Sequence, residues 1–274
     1  MTKELQKKVD FAIKLLQSIP LDSGPVEVSV SGGKDSDVIL ELAKMAGIPY
    51  RAIYKNTTID PPGTIAHAKE MGAEIVRPEK TFFQLIREKG LPNRFRRFCC
   101  ESLKEYAICS RSIQGIRRAE SVKRAKNYKE PEICRTYPGK KKVRVYLPIL
   151  EWTDEDVAEF IKERNIKCHP LYYKDGEFDV TQRLGCIGCP LIYEKKRIEQ
   201  FKQYPKLLRL WIKNANIYMR NHPDNKNMFK DAFEQMYAEL FFHNIKDYDR
   251  DTLFGEINHK EILENTFNIN LDGI

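Results

Sequence analysis

At positions 31 to 36 the chain reads Ser-Gly-Gly-Lys-Asp-Ser, directly after the apolar run Val26 to Val30 and directly before a helical pattern. Gly32 and Gly33 let a backbone turn sharply and bring its N–H groups against an anion. A helix starting near Ser36 or Asp37 would add its positive dipole end, and the Ser31 and Ser36 hydroxyls can donate to phosphate oxygens. Lys34 brings a full charge, and Asp35 is a carboxylate of the kind that holds magnesium on a polyphosphate. The string is too short for a Walker A loop and is not G-x-G-x-x-G. An anion cradle and a plain tight turn are the two readings.

The second chemistry is thiol chemistry. Of seven cysteines, Cys99 and Cys100 are adjacent, and Cys186 and Cys189 form a C-x-x-C with Gly188 inside it. Two such pairs can complete a four-thiolate site for iron–sulfur or zinc. A C-x-x-C redox pair and plain buried thiols are the alternatives. Cys109, Cys134 and Cys168 lack such partners and read as core residues or bystanders, and His169 reads as structural. An odd cysteine count without a secretion signal argues for reduced thiols rather than a disulfide framework.

The elements that must position these groups follow from the pattern. Leu5, Val9, Ala12, Ile13 and Leu16 recur at helical spacing in the first twenty residues. Apolar runs at Val26 to Val30, "YRAIYKN", "EIVR" and "VRVYLPI" alternate with helices expected near 37–45, 62–71, 81–89 and 101–109. That alternation predicts an α/β fold, a parallel sheet flanked by helices. Thr153 is the expected N-cap of "TDEDVAEFIKER", and Trp152 is expected in the core. Beyond Cys189 the Met, Phe, Trp and Tyr stripes predict packed helices, so the domain expectation is an α/β domain over 1–190 and a helical region over 191–274.

The formal net charge is +8, yet residues 87 to 142 alone carry 17 Lys/Arg against 6 Asp/Glu. This local excess, ending in Lys140-Lys141-Lys142, suits a nucleotide or a nucleic-acid backbone, or a solvated face. No stretch has the apolar length of a membrane span or a signal-peptide core, so a soluble, cytoplasmic protein is expected.

The string "SGGKDS" resembles the PP-loop, SGGxDS, of the N-type ATP pyrophosphatases and their sulfonucleotide-reductase relatives. "QGIRRAESVKRA" looks like the G-x-R-x-x-x-S-x-x-R signature of the phosphoadenosine phosphosulfate (PAPS) reductase family, and "YLPILEWTDEDV" with "HPLYY" resembles two further family segments. The resemblance implies the Rossmann-like, adenine nucleotide alpha-hydrolase-like fold. It places Gly115, Arg117 and Arg124 at the phosphate site, with Arg117 pairing bidentately to phosphate or sulfate. Thr58 and Asp60, in "NTTIDPP", would lie where the family holds adenosine, although Thr-Asp-Pro is also ordinary turn chemistry. The CC…CxxC arrangement resembles the adenylyl-sulfate reductase branch, which implies a [4Fe–4S] cluster on Cys99, Cys100, Cys186 and Cys189. Arg94, Arg96, Arg97 and Lys104 would offset its charge.

Sulfonucleotide reductases carry a nucleophilic cysteine in a C-terminal tail, and here no cysteine follows Cys189. The resemblance is therefore to members that use ATP and Mg2+ to adenylate an acceptor for sulfur insertion, as in DNA phosphorothioation or tRNA thiolation. Lys34, Asp35 and Arg117 are the expected catalytic set. The implied partners are an adenine nucleotide, a nucleic-acid or protein acceptor, and a sulfur or electron donor. A PAPS or adenylyl-sulfate reductase and a non-catalytic nucleotide- or redox-sensing module are the alternatives.

Overall fold

The computed structural model describes residues 1–22, 24–137, 142–223, 228–242, 248 and 257–274. Lys140 and Lys141 of the basic run lie outside the described residues. The chain divides into two compact units, discontinuous in sequence: residues 1–56, 60–78 and 103–185 form the first, and residues 57–59, 79–102 and 186–274 the second.

The first unit is built on a six-stranded sheet. Its strands are β1 (Val26–Val30), β2 (Tyr50–Lys55), β3 (Glu74–Val76), β4 (Arg111–Ile113), β5 (Glu132–Thr136) and β6 (Lys142–Tyr146). They lie in the order β3-β2-β1-β4-β6-β5. Every pairing is parallel except that of β5 with β6, which registers Glu132 against Tyr146 and Thr136 against Lys142. Sequence periodicity does not reveal β5. The link from Thr136 to Lys142 is too short for a crossover, so this edge strand must run antiparallel.

The helices in chain order are α1 (Lys3–Gln17), α2 (Lys34–Ala46), α3 (Thr64–Glu70), α4 (Phe82–Lys89), α5 (Phe98–Leu103) and α6 (Val122–Asn127). They continue with α7 (Asp154–Glu163), α8 (Glu194–Gln203), α9 (Pro205–Asn221), α10 (Ala232–Phe241) and α11 (His259–Phe267). In the first unit α1 buries Leu5, Val9, Ala12 and Leu16 into the main core, while Ile13 is only half-buried against it. Thr153 caps α7 in a capping box with Asp156. Trp152 is buried edge-on to Phe160, ring centroids 5.3 Å apart, as its apolar bulk demands.

Two helix starts differ from expectation. α2 begins at Lys34, not at Ser36 or Asp37, because the Gly33 carbonyl already accepts from Ser36 N (2.9 Å) and Asp37 N (3.2 Å). α5 begins at Phe98 and ends at Leu103, where the sequence suggests 101–109; the Arg97 carbonyl accepts from Cys100 N and Glu101 N, so both tandem cysteines are helical.

The second unit gathers α4, α5 and α8 to α11. Trp211 packs on Phe82 (4.8 Å between ring centroids) and on Phe201 (5.7 Å), and Phe201 meets Phe267 edge-on (6.4 Å). The aromatic stripes of the C-terminal half are thus core, as helical spacing suggests. Among the described residues no helix is long and apolar enough to cross a membrane.

Candidate functional site

The loop between β1 and α2 opens onto a cavity of about 480 Å³, within the range of small-molecule sites. β1 lies centrally in the sheet, so its carboxyl end is a natural ligand crevice. Gly32 has φ +76°, and a Cβ there would meet Thr64 Cγ2 at 2.6 Å, so only glycine fits the turn. A Cβ on Gly33 would come within 3.2 Å of the Tyr172 hydroxyl. The first turn of α2 follows at once and adds the partial positive charge of its N-terminus. Ser31, Gly33, Lys34, Asp35 and Ser36 line the cavity, and Gly32 shapes the loop behind it.

Lys34 is buried, its Nζ 3.2 Å from Asp35 Oδ2 and 5.7 Å from the centre of the Tyr172 ring. Burial pushes the Tyr172 hydroxyl up to about 12, which keeps it protonated. Behind the loop, Asp37 is fully buried with Oδ2 2.9 Å from His67 Nε2, which ties α2 to α3; burial raises its carboxyl.

Arg117 does not line the cavity. The guanidinium is 1% exposed and held on three sides: Nε donates to Asp35 Oδ1 (2.7 Å), Nη2 to Asp154 Oδ1 (2.7 Å) and Nη1 to the Trp152 carbonyl (3.3 Å). A rigid fork suits such multidentate pairing, and here it meets carboxylates where the resemblance suggests phosphate or sulfate. Gly115 stands against the loop itself, since a Cβ there would sit 2.8 Å from the Asp35 carbonyl oxygen. Arg124 reaches the cavity and pairs with Glu120 one turn away, while Arg183 donates to the Glu120 carbonyl at 3.0 Å.

The far end of the cavity holds residues that motif reading does not find. Lys55, at the end of β2, donates to Glu27 Oε1 (2.7 Å) and to the Tyr106 carbonyl. Glu27 is fully buried in β1 and also takes Ile108 N at 2.8 Å. The signal was a lone acid inside the apolar run "VEVSV" and a lysine at the end of the next strand. Asp60 lines this end, accepting from Tyr54 Oη at 2.6 Å with Lys104 Nζ 3.9 Å away. Arg135 completes a lining in which the cations outnumber the carboxylates. Thr58 belongs to the second unit and does not line the cavity; it takes Phe82 N on its Oγ1 at 2.9 Å and has φ +62°.

All four paired cysteines belong to the second unit. A hydrogen bond with Cys100, then burial, then the charges of Cys100, Cys186 and Cys189 push the Cys99 thiol up, which places the four sulfurs in one electrostatic neighbourhood. Cys189 N closes a turn on the Cys186 carbonyl (3.3 Å), and Gly188 in that turn has φ +74° with Phe201 filling the place of a Cβ. The buried Arg197 donates to the Gly188 carbonyl at 2.9 Å, and Arg94 pairs with Glu194. Each of these arginines is matched by a carboxylate, Arg197 by Glu239 at 3.8 Å, and a hydrogen-bonding surround of this kind is what orients the ligands of a thiolate centre. Among the described residues, no three His, Cys, Asp or Glu side chains are drawn together tightly enough to hold a metal ion. Cys168 is buried and pushed up to about 12, chiefly by burial, and Cys134 is exposed.

Residues 25–192 match the family model for the phosphoadenosine phosphosulfate reductase domain. The chain belongs to that family. The matched stretch contains the PP-loop, "GIRRAES" and both cysteine pairs. A protein of Escherichia phage 186, described as an uncharacterized 37.8 kDa protein, is 31% identical over 148 residues, 48% of this chain and 42% of the phage protein. The chain thus aligns with less than half the length of that relative. Sulfate adenylyltransferase subunit 2 of Shewanella oneidensis is 25% identical over 224 residues, 66% of this chain and 70% of that one. Among solved structures, the PAPS reductase of Candida auris aligns with TM-score 0.47 and 12% identity, covering 68% of this chain and 96% of that one. The U34-tRNA thiolase NcsA of Methanococcus maripaludis, solved with its [4Fe-4S] cluster, aligns with TM-score 0.43 and 18% identity over 83% of each chain. The mostly parallel sheet and the loop at the end of β1 are the PP-loop nucleotide-binding fold of the PAPS reductase family.

Proposed function

We propose that the cavity binds ATP with magnesium and that the enzyme cleaves it to AMP and pyrophosphate while activating an acceptor for sulfur transfer. The observation that carries the reading is the union, in one cavity, of the glycine loop, the α2 N-terminus and a lining richer in cations than in acids. Carboxylates of Asp35 and Asp60 among those cations suit a magnesium polyphosphate better than a bare sulfate ester. An acceptor atom attacks the α-phosphorus, the bond to the bridging oxygen breaks, and pyrophosphate leaves carrying the electron pair. Loop N–H groups and Lys34 neutralise the charge that develops there. Arg117 acts through Asp35, holding its carboxylate in place. A sulfur donor then displaces AMP from the adenylated acceptor.

Cys99, Cys100, Cys186 and Cys189 are proposed to hold a [4Fe–4S] cluster, with zinc as the alternative metal. Their common neighbourhood and the buried Arg197 support this set. A bound cluster would supply a redox-active, sulfide-bearing centre.

Pyrophosphate release from ATP and magnesium by the intact protein, measured with and without nucleic acid and a sulfide donor, tests the reading. No release under any condition overturns it. The family match favours one second reading, reduction of PAPS or adenylyl sulfate in the same cavity. Sulfite release from either sulfonucleotide with dithiothreitol would establish that activity. Tight nucleotide binding with no product in either assay would identify a sensing module.

A further inference from the structure

The second unit carries a surface that the nucleotide cavity does not use. Phe95 is 95% exposed and Tyr193 is 80% exposed. Single exposed aromatics are ordinary, but these two adjoin in sequence the two partners of one ion pair. Arg94, next to Phe95, and Glu194, next to Tyr193, form an ion pair of 2.9 Å between Nη2 and Oε1. The two aromatic residues are therefore brought toward each other by one ion pair, close in sequence to Cys99-Cys100 and Cys189.

The Phe95 loop is ordered rather than slack. Asn93 Oδ1 accepts from Phe95 N (2.9 Å) and Arg96 N (2.8 Å), and Asn93 N donates to the Arg96 carbonyl (3.2 Å). Arg96 also donates to the Lys89 carbonyl, which anchors the loop to the end of α4. Such a turn holds a large apolar ring out in water at the cost of its hydration. Around it Arg94, Arg96 and Arg97 are all exposed, and Lys195 is exposed one residue beyond Glu194.

We propose that this surface, Phe95 and Tyr193 with Arg94, Arg96 and Arg97, binds single-stranded nucleic acid. Flat rings presented beside guanidinium groups are the means by which proteins hold unpaired bases and the phosphates between them. Charge complementarity points to a polyanion, and the two rings point to one whose bases are already unstacked. A duplex hides its bases and yields them only at the cost of flipping, whereas an unpaired strand displays them. The proposal deepens the reading above by naming the acceptor class, and it rests on that reading for its role in sulfur transfer.

Fluorescence anisotropy of the intact protein with a labelled twelve-nucleotide RNA, the same sequence as DNA, and a DNA duplex tests it directly. Both single strands are expected to bind more tightly than the duplex. Phe95→Ala and Tyr193→Ala should each weaken RNA binding by about fivefold or more. Arg97→Ala should lower the slope of log affinity against log salt by about 0.7. Both rings are exposed, so melting curves of the variants should match the parent. Single-strand affinity unchanged in the Phe95→Ala, Tyr193→Ala double variant, or a duplex bound as tightly as the single strands, overturns the proposal. Pyrophosphate release assayed in parallel without RNA reports separately on the ATP reading.

Discussion

The Nε of Arg117 lies 2.7 Å from Oδ1 of Asp35, and the two residues are 82 positions apart in the chain. The other carboxylate oxygen of Asp35 faces Lys34 Nζ at 3.2 Å. An acid that lines the cavity is therefore fixed between two buried cations. Arg117→Ala breaks that arrangement, but Asp154 is half-exposed and Asp35 keeps Lys34, so the loss should be that of charged hydrogen bonds, about 1.5–3 kcal/mol. Urea denaturation should show that loss, and Arg117→Lys, which keeps charge but not the fork, should recover only part of it. Equal stability of all three proteins would remove the positioning role assigned to Arg117.

Gly115→Ala should disturb the loop from behind. The added Cβ would press on the Asp35 carbonyl oxygen at 2.8 Å, and backbone cannot yield as a side chain tip does. Titration calorimetry with ATP and magnesium should give an affinity at least about tenfold weaker, equivalent to about 1.4 kcal/mol. Gly185→Ala is the control, since its Cβ would meet nothing within 4 Å.

Lys55 and Glu27 should behave as a unit. Lys55→Met leaves the fully buried Glu27 carboxylate facing an apolar chain and should destabilise by about 3–5 kcal/mol. Adding Glu27→Gln removes the stranded charge and should restore most of that loss. A double variant no more stable than Lys55→Met would show that the lysine contributes through something other than this pair.

Acid should weaken the fold partly through histidine. His169 and His259 are both held below the ordinary imidazole value, mainly by burial. A depressed folded value gives stability that is present above about 6.5, the unfolded value, and is lost as pH falls toward the folded one. The urea midpoint should therefore drop between about pH 7.5 and about pH 5.5. His169→Asn keeps an acceptor for Leu171 N, now filled by Nδ1 at 3.1 Å, and should show a shallower drop. An unchanged slope would exclude His169 from the acid response.

The thiol proposal has a visible readout. Protein purified without oxygen should be brown and contain iron and acid-labile sulfide, and Cys99→Ser or Cys186→Ser should lose most of both. Cys134→Ser, on an exposed strand position, should lose neither. Colourless protein with one zinc per chain would replace the cluster by the alternative metal.

The sheet unit was largely legible because its signals are local: apolar strands, helical periods, a glycine turn, and caps such as Thr153 with Asp156. The family strings then identified the PP-loop. Edge strand β5 escaped because its pattern of exposed and half-buried residues has no strong apolar face. The direction of the Arg117 side chain escaped for another reason. Sequence shows an arginine near a phosphate loop, but only the fold shows that two carboxylates, Asp35 and Asp154, reach it first. Lys55 and Glu27 were invisible as a pair, since nothing local joins residues on two different strands. Phe95 was legible as a residue and illegible as a surface until its turn and the Arg94–Glu194 pair were seen.

Gly115 follows β4, the strand that completes the far side of β1, and its missing side chain is the space in which the Asp35 backbone rests. The nucleotide loop is thus backed by a segment about eighty residues downstream in the chain. Nonlocal closure of that kind is slow relative to local helix formation. The contact between Gly115 and the loop is thus one of the long-range closures that set how fast this fold can form.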